Sequence, residues 1–211
     1  CEDSEQLALQ EFMGICGIIN KKVLKTRLTS CSLTGRQGLG SYMVQCGHSN
    51  KPIFPDQAVE CQVTGKLIGK QFAGNSDYSG LLVDLSLLTN SEKTPFRKGI
   101  ESEFKRCSVS GKKLLLDEIG ISDWSRNWVD KAFLIKSSAS GRLATREEMV
   151  QCQESKTFML PDEVLRCSVT GNMVDKRLLV KSQLSGELAL RRLTGVCEVT
   201  KKLVFLKELR I

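Results

Sequence analysis

Cysteine is the residue type in this chain best placed for chemistry, and all nine cysteines recur at one fixed spacing. They are Cys1, Cys16, Cys31, Cys46, Cys61, Cys107, Cys152, Cys167 and Cys197, and serine fills the other five sites of the series, Ser76, Ser91, Ser122, Ser137 and Ser182. A structural zinc site needs four ligands, usually from Cys-x-x-Cys pairs. The chain has no such pair and serine is a poor zinc ligand, so we expect neither zinc nor another cofactor. The odd count and the serine replacements instead favour free, buried thiols in a reducing compartment.

Histidine, the other candidate for acid–base chemistry, occurs once, as His48. The neighbouring copies of the same site carry Leu33 and Val63, so we expect His48 to be structural. The sequence contains no glycine-rich phosphate loop, Ser/His/Asp set or His-Glu-x-x-His motif. We therefore expect a protein without enzymatic activity and without catalytic residues.

The cysteine spacing belongs to a repeat that fills the chain. Successive Cys or Ser sites lie 15 residues apart, except for one inserted residue between Ser91 and Cys107, and fourteen repeats plus that residue account for all 211 residues. Each repeat is numbered here from its Cys or Ser as position 1. Because a unit this short cannot bury its apolar face alone, neighbouring copies must stack into an elongated or curved array.

Within a repeat, the pattern predicts two short strands, a tight turn and a bend. Position 3 is usually apolar, and with position 1 it suggests a strand whose alternate side chains face inward. Ser or Thr at position 4 and Gly at position 5 favour a turn, in which Asn20 and Asn50 replace glycine in two copies. Apolar residues at positions 8 and 9 predict the return strand, and segments such as residues 161–164 predict one helical turn. The predicted fold is mainly β, a tandem array of fourteen hairpin units, with a β-solenoid of parallel coils as the alternative.

Residues 61–66, Cys-Gln-Val-Thr-Gly-Lys, show a resemblance to known proteins. The segment resembles the opening hairpin of a small bacterial large-subunit ribosomal protein. It is also similar to a zinc-ribbon knuckle in which Thr64 stands where the second cysteine would be. The match covers about six residues of each repeat. The resemblance implies descent from, or convergence on, a degenerate zinc-ribbon hairpin, and it does not imply a ribosomal role.

The composition is that of a folded protein, with 41% hydrophobic and 26% charged residues and a net charge of +7. No apolar run approaches the roughly 18 residues that span a bilayer, and no signal peptide is evident. We therefore expect no membrane association and a cytoplasmic location. Cys1 is already in phase with the repeat and is not Met, so we expect the sequence to be a trimmed or processed piece.

Binding sites in repeat arrays usually lie on rows of equivalent surface positions. Position 6 is basic in four consecutive repeats, which define the basic row: Lys21, Arg36, Lys51 and Lys66. Position 7 is apolar in the last six repeats, which define the apolar row: Trp128, Leu143, Phe158, Met173, Leu188 and Leu203. We predict that the basic row binds an anionic partner such as nucleic-acid phosphates. The apolar row predicts either altered packing or an exposed stripe for a partner.

The two rows divide the sequence into three parts: residues 1–75 with the basic row, irregular repeats over 76–106 as a possible joint, and residues 107–211 with the apolar row. In the early repeats position 7 is mixed, and the count places Arg97 there in the irregular segment. The sequence favours a non-enzymatic scaffold that docks a protein partner or a second copy of itself. The alternatives are a nucleic-acid-binding module that uses the basic row and a set of structural zinc-binding repeats.

Overall fold

The fold is an array of short antiparallel hairpins, as predicted. The computed structural model describes residues 4–5 and 7–209, so Cys1 lies outside the described residues. In this part of the chain every sheet has two strands and no barrel closes. The strands of a hairpin run antiparallel, for example with Gly14 opposite Val23. The β-solenoid alternative is therefore wrong for the described residues, because stacked coils would pair in parallel.

The strands have two or three residues each and occupy positions 13–15 of one repeat and 7–9 of the next. Up to Gly99 they are Met13–Ile15, Lys22–Leu24, Leu28–Ser30, Gln37–Leu39, Val44–Gln45, Pro52–Ile53, Ala58–Glu60, Leu67–Gly69, Ala73–Asn75, Leu82–Asp84, Thr89–Asn90 and Lys98–Gly99. Beyond it they are Phe104–Arg106, Lys113–Leu115, Ile119–Ile121, Trp128–Asp130, Leu134–Lys136, Leu143–Thr145, Val150–Gln151, Phe158–Met159, Val164–Arg166, Met173–Asp175, Leu179–Lys181, Leu188–Leu190, Thr194–Val196 and Leu203–Phe205.

The predicted single helical turn is confirmed as a three-residue 3₁₀ helix at positions 10–12. These helices are Gln10–Phe12, Lys25–Arg27, Gly40–Tyr42, Pro55–Gln57, Lys70–Phe72, Leu85–Leu87, Glu101–Glu103, Lys131–Phe133, Arg146–Glu148, Pro161–Glu163, Lys176–Leu178, Arg191–Leu193 and Leu206–Glu208. Proline at the first position of two of them suits a helix start, because the missing N–H would have no helical partner there. Within the described residues, each helix between the first and the last of these joins two hairpins.

The predicted strand at positions 1–3 is wrong, because these residues belong to the turn of the hairpin. The backbone N–H of Cys16 donates to the carbonyl of Lys21 at 2.9 Å, and the N–H of Asn20 donates back to the carbonyl of Cys16 at 2.8 Å. Position 5 has a positive φ, such as +55° at Asn20 and +67° at Gly65, as the turn chemistry predicts. Position 1 is buried because the turn folds inward there. Alternating polarity over three residues does not distinguish such a turn from a strand.

The inserted residue lies in a turn and leaves the strands in phase. The N–H of Ser91 reaches the carbonyl of Arg97, one residue further than the equivalent bond from Ser76 to Leu81. The N–H of Asp77 then donates to the carbonyl of Lys98, just as the N–H of Gln62 donates to the carbonyl of Leu82. Position 7 of this repeat is therefore Lys98, and the assignment of Arg97 from the count alone is wrong.

The core consists of small clusters that follow the repeat. One contains Cys31, Cys46, Ile53 and Phe54, and a larger one runs from Cys152 to Phe205. The chain divides into two compact units, Cys1–Phe104 and Lys105–Ile211. The basic row belongs to the first unit and the apolar row to the second.

Candidate functional site

The cysteine thiols connect neighbouring repeats through hydrogen bonds. The backbone N–H at position 9 of the next repeat donates to the sulfur, from Leu39 to Cys16 Sγ at 3.3 Å and from Gly69 to Cys46 Sγ at 3.4 Å. Seven of the eight described cysteines are at most 2% exposed, and no disulfide joins those described. The thiol at position 1 thus acts as a buried acceptor for an N–H group of the following repeat, which we call the cysteine contact.

The serine repeats satisfy the same N–H group with a carboxylate. The hydroxyl of Ser122 donates to Glu148 Oε2 at 2.6 Å, and the same oxygen accepts the position 9 N–H of Thr145 at 2.8 Å. Ser137 bonds in this way to Glu163 Oε2, which also accepts the N–H of Leu160 at 2.9 Å. Two further pairs repeat the arrangement, Ser76 with Glu103 and Ser182 with Glu208. We call this the serine–glutamate contact.

The two contact types correspond to a pairing in the sequence that was not predicted. Each of the five serines at position 1 is followed, at position 12 of the next repeat, by glutamate: Glu103, Glu118, Glu148, Glu163 and Glu208. After the cysteines Cys16, Cys31, Cys46, Cys61, Cys107, Cys152 and Cys167 the same site holds Tyr42, Gln57, Phe72, Leu87, Phe133, Leu178 and Leu193. A comparison of positions 26 residues apart, or 27 across the inserted residue, would have found it. Serine thus occurs only where a carboxylate replaces the missing sulfur acceptor.

Hydrogen bonds keep the carboxylate of Glu163 ionised although it is buried. Burial alone would raise the pKa of Glu163, but the hydroxyls of Ser137 and Ser140, the N–H of Leu160 and the Arg142 guanidinium lower it to about 2. Burial alone would likewise raise the pKa of the Cys167 thiol, but hydrogen bonds from Thr170 and from backbone groups of Leu190 and Val169 lower it to about 7. Both acceptors are therefore stabilised in their anionic form by N–H and O–H donors.

The basic row lies at the hairpin turns, and all four of its side chains are exposed. Arg36 is held in place: its Nη2 donates to the carbonyl of Gly17 at 2.8 Å, and its guanidinium lies 4.7 Å from the centre of the Phe54 ring. Asp56 approaches the same guanidinium at 3.8 Å. Among the described residues no acidic side chain forms an ion pair with the other three members of the row. Anion binding by these three lysines remains a prediction.

A further charge feature includes three of the four members of the basic row. Residues 12–55 contain six Lys or Arg residues and no Asp or Glu. The six are Lys21, Lys22, Lys25, Arg27, Arg36 and Lys51, and all are exposed. We call residues 12–55 the acid-free segment. The net charge of +7 for the whole chain does not reveal this local excess.

The apolar row is half-buried at each of its six positions. Met173 and Leu188 pack against the large core cluster of the second unit, and Phe158 packs against Ala144, Met149 and Leu160. The guanidinium of Arg146 covers the Phe158 ring at 4.3 Å from its centre. The row thus contributes to the core and also reaches the surface. Its binding to a partner remains a prediction.

Position 3, which was predicted to face inward, carries several of the exposed apolar side chains. Val109 is 52% exposed, Trp124 is 44% exposed and Leu184 is 67% exposed. The reason is that position 3 lies in the turn and not in a strand. The residue before each of them donates its N–H to the carbonyl of an apolar-row residue, namely Trp128, Leu143 and Leu203. We call the apolar row with Val109, Trp124 and Leu184 the apolar band.

His48 forms a contact with the next repeat but one. Its Nδ1 lies 2.8 Å from Asp84 Oδ1, and its ring stacks on Phe72 with 4.2 Å between the ring centres. The Asp84 carboxylate also accepts the N–H and the hydroxyl of Ser86, and it is 7% exposed. These neighbours give His48 a packing role.

The part of the chain that the structure describes contains no candidate metal site and no candidate membrane-spanning helix. There, no group of three or more His, Cys, Asp or Glu side chains could hold a metal ion. The described residues also form no helix with the length and apolar character needed to cross a bilayer. The expectations of no zinc and no catalysis remain predictions.

Comparison with known proteins yields no relative: no family model, curated protein or solved structure matches this chain. Its class is therefore defined by its own architecture, a tandem array of 15-residue β-hairpin repeats.

Proposed function

We propose that this chain is a non-enzymatic repeat scaffold whose apolar band docks a protein partner. The observation that supports it is the exposure of Val109, Trp124 and Leu184, at 52%, 44% and 67%, each linked by a backbone hydrogen bond to the half-buried apolar row. Single exposed apolar residues are ordinary on protein surfaces. In this proposal the apolar side chains that recur at position 3 combine with the apolar row into a larger patch, and such patches are typical of interaction sites.

The chemistry of the band suits a protein interface. Trp124 and Trp128 provide large rigid side chains, and tryptophan is among the residues that dominate binding energy at such interfaces. Polar groups lie beside them, since Arg126 pairs with Asp123 at 3.7 Å in the same turn as Trp124. An apolar centre with a polar edge is the usual layout of a non-obligate interface. The free thiols of the described cysteines support a reducing compartment, such as the cytoplasm, as part of this proposal.

The test is capture of partners from a cell extract treated with nuclease, at low and at high salt, followed by measurement with the purified partner. We expect a protein partner whose binding survives both treatments. The double variant Trp124→Ser/Leu184→Ser should weaken binding of that purified partner at least tenfold, because buried aromatic anchors commonly contribute about 2 kcal/mol or more. Analytical ultracentrifugation of the chain alone identifies a second copy as the partner if the sedimentation coefficient rises with concentration.

The matched control is Leu165→Ser. Leu165 is 43% exposed, like Trp124, but it lies at position 14 and is not a member of the band. It should leave partner binding unchanged, and circular dichroism should show that all variants keep the wild-type spectrum. The proposal fails if the band variant and the control weaken binding equally, or if every captured protein is lost with nuclease treatment.

The acid-free segment favours nucleic-acid binding as a second function.

A further inference from the structure

We infer that the acid-free segment is a second binding surface, which takes the phosphate backbone of double-stranded nucleic acid. It lies in the first unit, whereas the apolar band lies in the second, so the two proposals can fail separately. The exposed Lys21 and Lys51 form no ion pair among the described residues, and residues 12–55 contain no acidic residue, so this part of the first unit carries a local excess of positive charge that Asp56 offsets only at Arg36. Lys66 extends the row by one further repeat.

The basic row stands at one repeating position on a hydrogen-bonded framework. Lys21, Lys51 and Lys66 each follow the positive-φ residue of a hairpin turn. The Cα atom of each is therefore held by the equivalent hydrogen-bonded loop of its own repeat. The loop of Lys51, for example, is closed by the bond from the Cys46 N–H to the Lys51 carbonyl at 2.9 Å. Arg36 is fixed by the Gly17 carbonyl and by its contact with Phe54. Regularly held point charges suit a polymer with regularly spaced phosphates.

The aromatic residues favour a duplex over a single strand. Non-specific single-strand binding relies on aromatic rings that stack on successive bases. Within the segment Phe54 is 1% exposed, and its ring is covered by Arg36. Phe12 and Tyr42 are exposed, but both occupy position 12, whereas the basic row occupies position 6. The basic row therefore offers charge without a stacking platform.

The test compares two triple variants by fluorescence anisotropy with a fluorescein-labelled DNA duplex of about two helical turns, titrated at several salt concentrations. The first is Lys21→Gln/Lys51→Gln/Lys66→Gln. The matched control is Lys112→Gln/Lys156→Gln/Lys202→Gln, which removes the same charge from exposed turn residues of the second unit. We expect the first variant to weaken duplex binding at least tenfold at low salt. It should also lower the slope of log Kd against log salt by about 3, because each phosphate that a lysine neutralises contributes about 0.9 to that slope. The control should change both by less than half as much.

Each other outcome overturns the inference. Equal losses in the two triple variants would show attraction by net charge alone. Absence of duplex binding at low salt would remove the surface altogether. Stronger binding of a labelled poly-glutamate or of vesicles with anionic lipid than of the duplex would assign the surface to an acidic protein or to a membrane. Trp124→Ser/Leu184→Ser should bind the duplex like the wild type, which separates this result from the protein-docking proposal.

Discussion

Conversion of one serine–glutamate contact into a cysteine contact tests the structural role of both. The contact of Ser137 with Glu163 is the best candidate, because both residues are buried and the carboxylate also accepts the N–H of Leu160. The double variant Ser137→Cys/Glu163→Leu would recreate the natural combination of Cys152 and Leu178. A thiol at position 1 should then accept the Leu160 N–H, and a leucine would fill position 12.

The magnitude follows from the pKa of Glu163. A fall from the ordinary 4.5 to about 2 corresponds to about 3 kcal/mol of stabilisation of the carboxylate at neutral pH. Glu163→Leu alone should cost about that amount, because it leaves a buried hydroxyl and a buried N–H without an acceptor. Ser137→Cys alone should cost about 1 to 2 kcal/mol, since a thiol is a weaker donor to the carboxylate. The double variant should lie within about 1 kcal/mol of the wild type, because the acceptor for the Leu160 N–H is restored.

Two measurements check this cycle. Urea unfolding followed by circular dichroism gives the global stability of the four proteins. Because repeat arrays can unfold in parts, hydrogen exchange at the Leu160 amide gives the local opening free energy at the contact itself. A double variant as unstable as the sum of the two single variants would refute the equivalence of the two contacts. Slow exchange at Leu160 in the Glu163→Leu single variant would refute the role of the carboxylate as its acceptor.

Three further predictions concern pH, backbone conformation and thiol reactivity. Since the folded-state pKa of Glu163 lies below its unfolded value of 4.5, its stabilisation is complete above pH 4.5 and is lost as the pH falls toward 2. The urea midpoint of the wild type should thus fall more over this window than that of Ser137→Cys/Glu163→Leu, and equal falls would contradict the assignment. Lys201 has a φ of +58°, so Lys201→Gly should stabilise the chain by about 1 kcal/mol in thermal unfolding, whereas Gly65→Ala at φ +67° should destabilise it by a similar amount. Among the described cysteines, iodoacetamide should label half-buried Cys197 first in the native protein, and peptide mapping that shows Cys16 or Cys46 labelled equally fast would disagree.

The period and the turn chemistry were enough to predict the hairpin array. Positive φ at position 5 explains why glycine and asparagine alternate there, as at Gly65 and Asn50. The boundaries of the strands were not predictable in the same way. The side chain of Cys46 is buried in a turn, and burial in a turn gives the same apolar signal as burial in a strand. Short elements of two or three residues leave too few positions for a periodicity to distinguish the two.

The contacts between repeats escaped prediction because they are relations between two sites and not properties of one. Serine at position 1, as in Ser122, looks like a conservative replacement of cysteine when each repeat is compared with the next. Its meaning depends on Glu148, which lies 26 residues further on and accepts its hydroxyl proton. The exposure of Val109 and Trp124 was missed for a related reason, since it follows from the position of the turn.

Some positions of the repeat form the bonds between repeats and others vary at the surface, which explains how binding surfaces can differ along one array. Among the described residues, the recurring hydrogen bonds between repeats use the side chains of positions 1, 2 and 12 and backbone groups of positions 2, 7 and 9. At position 6, Arg36 and Arg142 also bond to a neighbouring repeat, at the carbonyl of Gly17 and at Glu163, whereas Lys51 and Lys66 make no such bond. Position 7 contributes its carbonyl. Lys51 and Lys66 can therefore occupy a repeat position whose side chain the stacking of repeats does not require. Position 7 can likewise change from Lys22 to Trp128 while its carbonyl keeps the same role. The charge at position 6 can thus change in one unit without loss of these recurring bonds, whereas a change at position 7 also alters core packing, as at Phe158 and Met173. This is the physical basis for a basic surface in the first unit and an apolar one in the second.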